Sequence, residues 1–292
     1  MKKLFFVFFL ISSFVFAQKV EFTGKLLDKI TNEPVVYANL SFLNSEKGVS
    51  TTEQGDFLMY INQKDLNAKI HISCLNYKDT IISALALQKA TLFLQPKTEV
   101  LNEIILSRKL EKSVVLDPVK KGIISMHSRG LRMIAKYFPN TKKNTCCSYL
   151  TKVTIEFPRR INKKSKFRFR IFDVDEATGK PLNDLLLENI PVTIREDQIQ
   201  VELDITDHNI KMPEKGFFVA FEKLFIPFNK YGKGDSTEEG FYSPVIGVTK
   251  SRAYKKVNRN YIYTRGQWME LPFTKRGRLK GHVPSISVTL SN

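Results

Sequence analysis

The stretch Lys166-Phe167-Arg168-Phe169-Arg170-Ile171 alternates strictly between apolar and cationic side chains. That period of two is the signature of a β-strand with one face in a core and the other turned away from it. The same alternation recurs nearby: Val153, Ile155 and Phe157 alternate with Lys152, Thr154 and Glu156, and Ile199, Val201, Leu203 and Ile205 with Gln200, Glu202 and Asp204. Gly216 to Phe225 is apolar almost throughout and reads as a central strand covered on both faces. Tyr261 to Tyr263, Trp268 to Leu271 and Ile286 to Leu290 add further strands. About eight strands in this half predict a jelly-roll or galactose-binding-like sandwich.

Upstream, Val20 to Leu106 also reads as short strands between turns, with no helical period. Glu21 to Leu27 alternates, Asp28 to Pro34 supplies turn residues, and strands follow over Val35–Leu43, Val49–Thr52, Phe57–Ile61, Lys69–Leu75, Asp79–Ile82, Ala90–Leu94 and Glu99–Leu106. Such spacing predicts a small sandwich of about seven strands. The fold class expected for the chain is therefore all-β, with two sandwiches in series.

In this first half, Gly24, Asp28, Glu33-Pro34, Ala38-Asn39, Gly48, Thr51-Thr52, Gly55-Asp56-Phe57, Ile70-His71-Ile72-Ser73 and Asn76-Tyr77 occur in that order. The pattern resembles the carboxypeptidase regulatory-like domain over about residues 20–106. The resemblance implies a prealbumin-like, seven-stranded sandwich of a kind common in envelope proteins of Bacteroidetes-type bacteria. It also implies an accessory module without catalysis of its own. Gly48 and Gly55 are expected to supply positive φ for tight turns, and Asn76 stands where the family carries glycine. Asn tolerates the left-handed region, so that turn is expected to survive. The run from Phe169 to Asp175 with Thr178-Gly179-Lys180-Pro181, the run from Pro213 to Val219, and Trp268 to Phe273 are similar to C-terminal domains paired with the same module; no activity comes with that likeness.

At the N-terminus, Lys2 and Lys3 precede an apolar run from Leu4 to Val15 that closes on Val15-Phe16-Ala17. This is the pattern of a secretory signal cut before Gln18. It predicts export, to a periplasm or a cell surface. The expected organisation is a signal over 1–17, a regulatory-like sandwich over 18–107, a basic linker over 108–128 and a jelly-roll-like sandwich over 129–292.

Charge is uneven. The formal net of +17 is distributed as −1 over 18–107, +8 over 108–150 and +8 over 151–292, with Lys2 and Lys3 accounting for the rest. A basic C-terminal portion suits anionic partners such as lipid head groups, acidic polysaccharide or nucleic acid, or else serves as a solvated surface. An extracytoplasmic address argues against nucleic acid. The partners expected are an envelope protein, or a glycan or other anionic polymer, with peripheral membrane contact; the sequence is silent on oligomeric state. The ligand-facing residues expected are Arg168, Arg170, Tyr254, Lys255, Arg259, Tyr261, Tyr263 and Trp268. Aromatic faces stack on sugars and guanidinium groups pair with carboxylate or phosphate. The competing reading makes the aromatics core and the cations solvated.

Catalytic signals are sparse, and the chain reads as non-enzymatic, without cofactor or metal. The four histidines, His71, His127, His208 and His282, lack zinc-peptidase spacing. There is no G-x-S-x-G elbow. Asp173, Asp175, Glu176 and Asp184 cluster, but their spacing suits a hairpin turn better than a calcium loop. The rival reading is a glycan-directed hydrolase whose paired carboxylates meet only in space. Three cysteines, Cys74, Cys146 and Cys147, cannot staple a fold. The vicinal pair is poorly spaced for a bridge, a link from Cys74 to either is open, and buried unpaired thiols are expected.

Overall fold

The computed structural model describes residues 19–89, 91–97, 111–118, 124–125, 133–158, 163–232, 241–250, 259–271 and 280–292. The signal-like segment and the strand expected over Glu99–Leu106 lie outside the described residues. Within them the fold is all-β, with short 3₁₀ turns and no α-helix.

The first sandwich holds β1 (Lys19–Asp28), β2 (Asn39–Phe42), β3 (Gly48–Ser50), β4 (Asp56–Asn62), β5 (Lys69–Ser73), β6 (Thr80–Ser83) and β7 (Thr91–Leu94). Its two sheets run β4-β1-β7 and β3-β2-β5-β6. Alternation along β4 puts Phe57, Met59 and Ile61 inside, against Phe22 and Leu26 of β1 and Ile70 and Ile72 of β5. The described residues thus supply seven strands in two sheets, one for each expected stretch that they cover. Gly55 has φ 76°, and a Cβ there would lie 2.7 Å from the Leu26 carbonyl oxygen, so a side chain is excluded. Asn76 also takes the left-handed region, at φ 68°. Gly48 does not, and simply opens β3.

The strand expected over Val35–Leu43 begins only at Asn39. Tyr37 sits at φ 57° and turns the chain before it. Thr51 fixes that turn: its hydroxyl donates to the Val35 carbonyl at 2.7 Å and accepts from the Ala38 amide at 2.8 Å. A tyrosine in this region is held there by its surroundings.

The second sandwich comprises β8 (Ser113–Leu116), β9 (Ile124–Ser125), β10 (Met133–Phe138), β11 (Tyr149–Glu156), β12 (Ser165–Val174), β13 (Pro181–Asp184), β14 (Pro191–Ile194), β15 (Gln200–Asp204), β16 (Phe217–Lys223), β17 (Lys230–Tyr231), β18 (Phe241–Tyr242), β19 (Gly247–Lys250), β20 (Asn260–Thr264), β21 (Gln267–Glu270), β22 (His282–Pro284) and β23 (Ile286–Ser291). A large sheet runs β13-β12-β16-β10-β20-β21 with β14 on β12, and a smaller one runs β15-β11-β23-β8. Phe167, Phe169 and Ile171 of β12 meet Val153 and Ile155 of β11 and Ile286, Val288 and Leu290 of β23 in the core between them. The run from Phe217 is, as expected, a central strand buried along its whole length.

The linker expected over 108–128 requires correction. Ser113–Leu116 is an edge strand of the smaller sheet, paired with β23, and Ile124–Ser125 pairs with β19. The charged residues around these segments mask two short apolar strands. Asp117, just past β8, bonds at 2.8 Å to Lys136, which is almost completely buried, so this segment is tied into the second sandwich's interior.

Candidate functional site

The non-core face of the large sheet carries Arg168, Arg170, Phe172, Glu222, Phe218, Met133, Tyr137, Tyr261, Tyr263 and Trp268. Alternation fixes these positions, but two structural events decide what they do. First, the sheet curls. Trp268 on β21 packs edge-on against Phe172 on β12, ring centroids 5.5 Å apart. In the sheet those strands are separated by β16, β10 and β20, about 19 Å if flat. Tyr263 packs on Trp268 at 5.2 Å and Tyr261 on Phe218 at 5.6 Å, forming a second small core inside the curl. Tyr261, Tyr263 and Trp268 therefore pack against protein instead of forming an open stacking platform. Burial pushes the Tyr263 phenol up to about 12.

Second, the first sandwich docks on this face. Arg168, expected to meet a ligand, is fully buried at the seam between the sandwiches. Its Nε donates to Glu222 Oε2 at 2.6 Å and its Nη2 to Glu222 Oε1 at 3.0 Å. Glu222 stands directly across from it on β16. Nη2 also donates to the Tyr37 carbonyl at 3.2 Å, while Nη1 reaches Asn189 Oδ1 at 3.1 Å and Cys74 Sγ at 3.9 Å. All five guanidinium N–H groups are thereby occupied. Burial by itself would lower the Arg168 pKa, but the Glu222 carboxylate and Cys74 together outweigh it and raise the value. Burial would raise Glu222, and Arg168 instead holds it below the carboxylate range.

Around this pair the seam is stitched by further bonds. Asn39 Nδ2 donates to Glu222 Oε1 at 2.5 Å, the Asn189 amide to the Val36 carbonyl at 3.2 Å, and Ser50 and Phe225 exchange two bonds at 3.0 and 3.1 Å. Tyr37 Oη donates to Glu53 at 2.7 Å, and Lys166 also bonds Glu53. Tyr37, Leu224 and Ile226 form an apolar contact across the seam. Arg170, the other arginine expected to face a ligand, is largely buried in an ion pair with Asp184 and lies over the Phe172 ring at 4.7 Å. Arg259 is exposed, beside the Gly179 turn. Tyr254 and Lys255 lie outside the described residues.

The seam leaves a cleft of about 400 Å³. From the first sandwich it is lined by Asp28, Ile30, Pro34, Cys74, Tyr77 and Lys97, among others, and from the second by Asn189. Asp28 Oδ1 accepts from the Ile30 amide at 2.6 Å and the Thr31 amide at 3.0 Å, and Oδ2 accepts from Tyr77 Oη at 2.9 Å. The Thr31 amide contributes most to holding its carboxyl low, and the Ile30 amide and Tyr77 add to it against the effect of burial. Burial pushes the Cys74 thiol up. Alternation along β5 directs Ile70 and Ile72, and Cys74 beyond them, into the core, while His71 faces the other way and pairs with Asp79 at 3.0 Å. Cys74 and His71 thus form no nucleophile–base pair. A smaller cleft, with residues of both sandwiches, is lined by Asn39, Ser41, Ser73, Glu222, Lys223 and Tyr263, among others. Burial pushes Lys223 down to about 8. Each cleft lining holds one carboxylate, Asp28 or Glu222, and each is already engaged.

The acidic cluster is turn chemistry. Asp175 caps the Ala177 and Thr178 amides, Asp173 accepts from the Asn183 amide and side chain, and Asp184 holds Arg170. Sequence reasoning missed Tyr37, Asn39, Glu53, Asn189 and Glu222 as seam residues. Glu222 was detectable: a carboxylate inside an otherwise apolar central strand demands a buried partner.

No family model matches the chain, and no curated protein matches it either. Among solved structures, the cysteine protease and lectin-like domains of a surface layer associated protein of Clostridium difficile align over 87% of this chain and 50% of that one, at 10% identity and a TM-score of 0.42. The chain thus corresponds to half the length of that protein.

Proposed function

We propose that the chain is an exported, non-catalytic envelope protein that works by recognition, holding a segment of an envelope protein in the cleft at the seam. The observation that carries this reading is the saturated Arg168 network. It fixes the two sandwiches against each other and so gives the cleft a preformed shape, which reduces the ordering cost of binding. The lining suits a polypeptide: Ile30, Pro34, Val36, Leu75 and Pro96 are apolar, Asn76 and Asn189 carry amides, and Lys97 offers one cation. Ile30, 69% exposed, extends the apolar rim outward. Export and membership in the regulatory-like family are supported by the N-terminal pattern and the motif order in the sequence. At these two clefts recognition fits better than glycan hydrolysis, which uses two carboxylates with separate roles, because each lining holds a single one.

The test is capture from solubilised envelope with the mature chain as bait, at low and moderate salt. The expected result is a specific protein retained at both salts and lost with Ile30→Asp. Retention only of polysaccharide or lipid, released as salt rises, would replace the reading with an electrostatic one. Retention unaffected by Ile30→Asp would move the site away from the cleft.

A further inference from the structure

Cys146 and Cys147 occupy the turn that carries β10 into β11. The turn is braced from within: the Asn144 amide N–H donates to the Thr141 carbonyl at 2.8 Å, the Cys147 amide to the Asn144 carbonyl at 2.9 Å, and the Thr145 hydroxyl to the Lys142 carbonyl at 3.0 Å. The Asn144 side chain adds a bond to the Pro139 carbonyl at 3.1 Å. In this conformation the two sulfur atoms stand 2.6 Å apart. Carbon atoms in non-bonded contact sit at about 3.5–4.0 Å, and sulfur is larger. The side chains therefore converge even though adjacent Cα atoms are only about 3.8 Å apart. Cys147 is buried in the core of the second sandwich, and Cys146 is exposed.

We propose that Cys146 and Cys147 are a modification site, a vicinal pair that closes to an intrachain disulfide by exchange with a small-molecule or protein disulfide. Exposure decides the order of events. Cys146 loses its proton to solvent, and its thiolate attacks the incoming disulfide, forming a mixed disulfide and releasing one thiol. Cys147 then loses its proton and attacks the Cys146 sulfur, closing the ring and releasing the second thiol. Two cysteine thiols are oxidised and one external disulfide is reduced to two thiols. Burial and its contact with Cys146 push the Cys147 thiol up to about 11, which leaves the first attack to Cys146, while the closeness of the two sulfur atoms favours the resolving step. Cys74 takes no part: its sulfur sits in the seam, against the Val36 carbonyl and Arg168.

The experiment incubates the full chain with glutathione disulfide, unfolds it in denaturant with iodoacetamide but no reductant, and counts adducts by intact mass and peptide mapping. The expected result is one adduct, at Cys74, rising to three after prior reduction. Cys146→Ser, a change at an exposed position, is expected to show two adducts without reductant. Three adducts on the treated wild-type chain, a bridge that includes Cys74, or a glutathione mixed disulfide persisting on Cys146 would each overturn the proposal.

Discussion

Arg168→Met is the perturbation that bears most directly on how the two sandwiches are held. It leaves Glu222 buried without its countercharge, and removing one partner of a buried pair costs about 3–5 kcal/mol. For a chain of this size each kcal/mol lowers Tm by about 2–4 °C, so a fall of about 6–20 °C is expected. The paired change Arg168→Met with Glu222→Leu removes both charges and is expected to recover much of that loss. Recovery should be incomplete, because the Tyr37 carbonyl, Asn189 and Asn39 each lose a partner at about 1–3 kcal/mol for any that stays buried and unpaired. The sign of the pH dependence follows. Without Arg168, burial raises Glu222 above its unfolded value, so its contribution is retained at low pH and lost as pH rises. The single variant should accordingly lie closer to wild type at pH 5 than at pH 8. Scanning calorimetry at the two pH values measures all of this, with one transition expected for wild type and two for the single variant as the sandwiches uncouple. A double variant no more stable than Arg168→Met would refute the reasoning, since the loss could not then come from an uncompensated carboxylate.

Lys223, pushed down to about 8 by burial, binds its proton less readily folded than unfolded, so stability rises with pH between about 8 and 10.5. Lys223→Met should therefore stabilise by up to about 3 kcal/mol at pH 7, with the advantage shrinking towards pH 10; a constant difference in urea titrations at both pH values would contradict this. Asp28, held low by its amide and Tyr77 bonds, contributes stability above its unfolded pKa that disappears as pH falls through the folded value. Asp28→Asn should cost about 1–2 kcal/mol at pH 7 and progressively less in acid, as measured by denaturant melts between pH 7 and pH 3. Gly55→Ala places a Cβ against the Leu26 carbonyl at positive φ and should destabilise by more than about 1 kcal/mol, seen as a lower urea midpoint with unchanged m-value.

Alternation made the strands legible because it reports a local geometric fact, the side of the pleat each residue takes. It placed Phe167, Phe169 and Ile171 in the core and Arg168 and Arg170 on the opposite face. What covers that face is a long-range matter: residues near 37 and 74 reach Arg168, and no window around β12 contains them. The sequence left open whether Tyr261, Tyr263 and Trp268 face a ligand or pack, since the curl that brings Trp268 onto Phe172 is a property of the whole sheet. The break at Tyr37 was hidden because an apolar, β-favouring run gives no sign of a left-handed residue imposed by Thr51. At Ser113–Leu116, flanking charge outweighed a short apolar run that the β23 edge was able to pair.

The five-fold engagement of Arg168 also has a meaning in time. A chain emerging N-terminus first can complete the strands of its first sandwich long before Arg168 and Glu222 exist to receive Tyr37, Asn39 and Cys74. During that interval the first sandwich presents an unfinished surface, with the Tyr37 carbonyl turned outward and without its partner. Its own second half acts as the cover for that surface, so a chain halted between the two sandwiches would stay open to adhesion and proteolysis until the rest arrived.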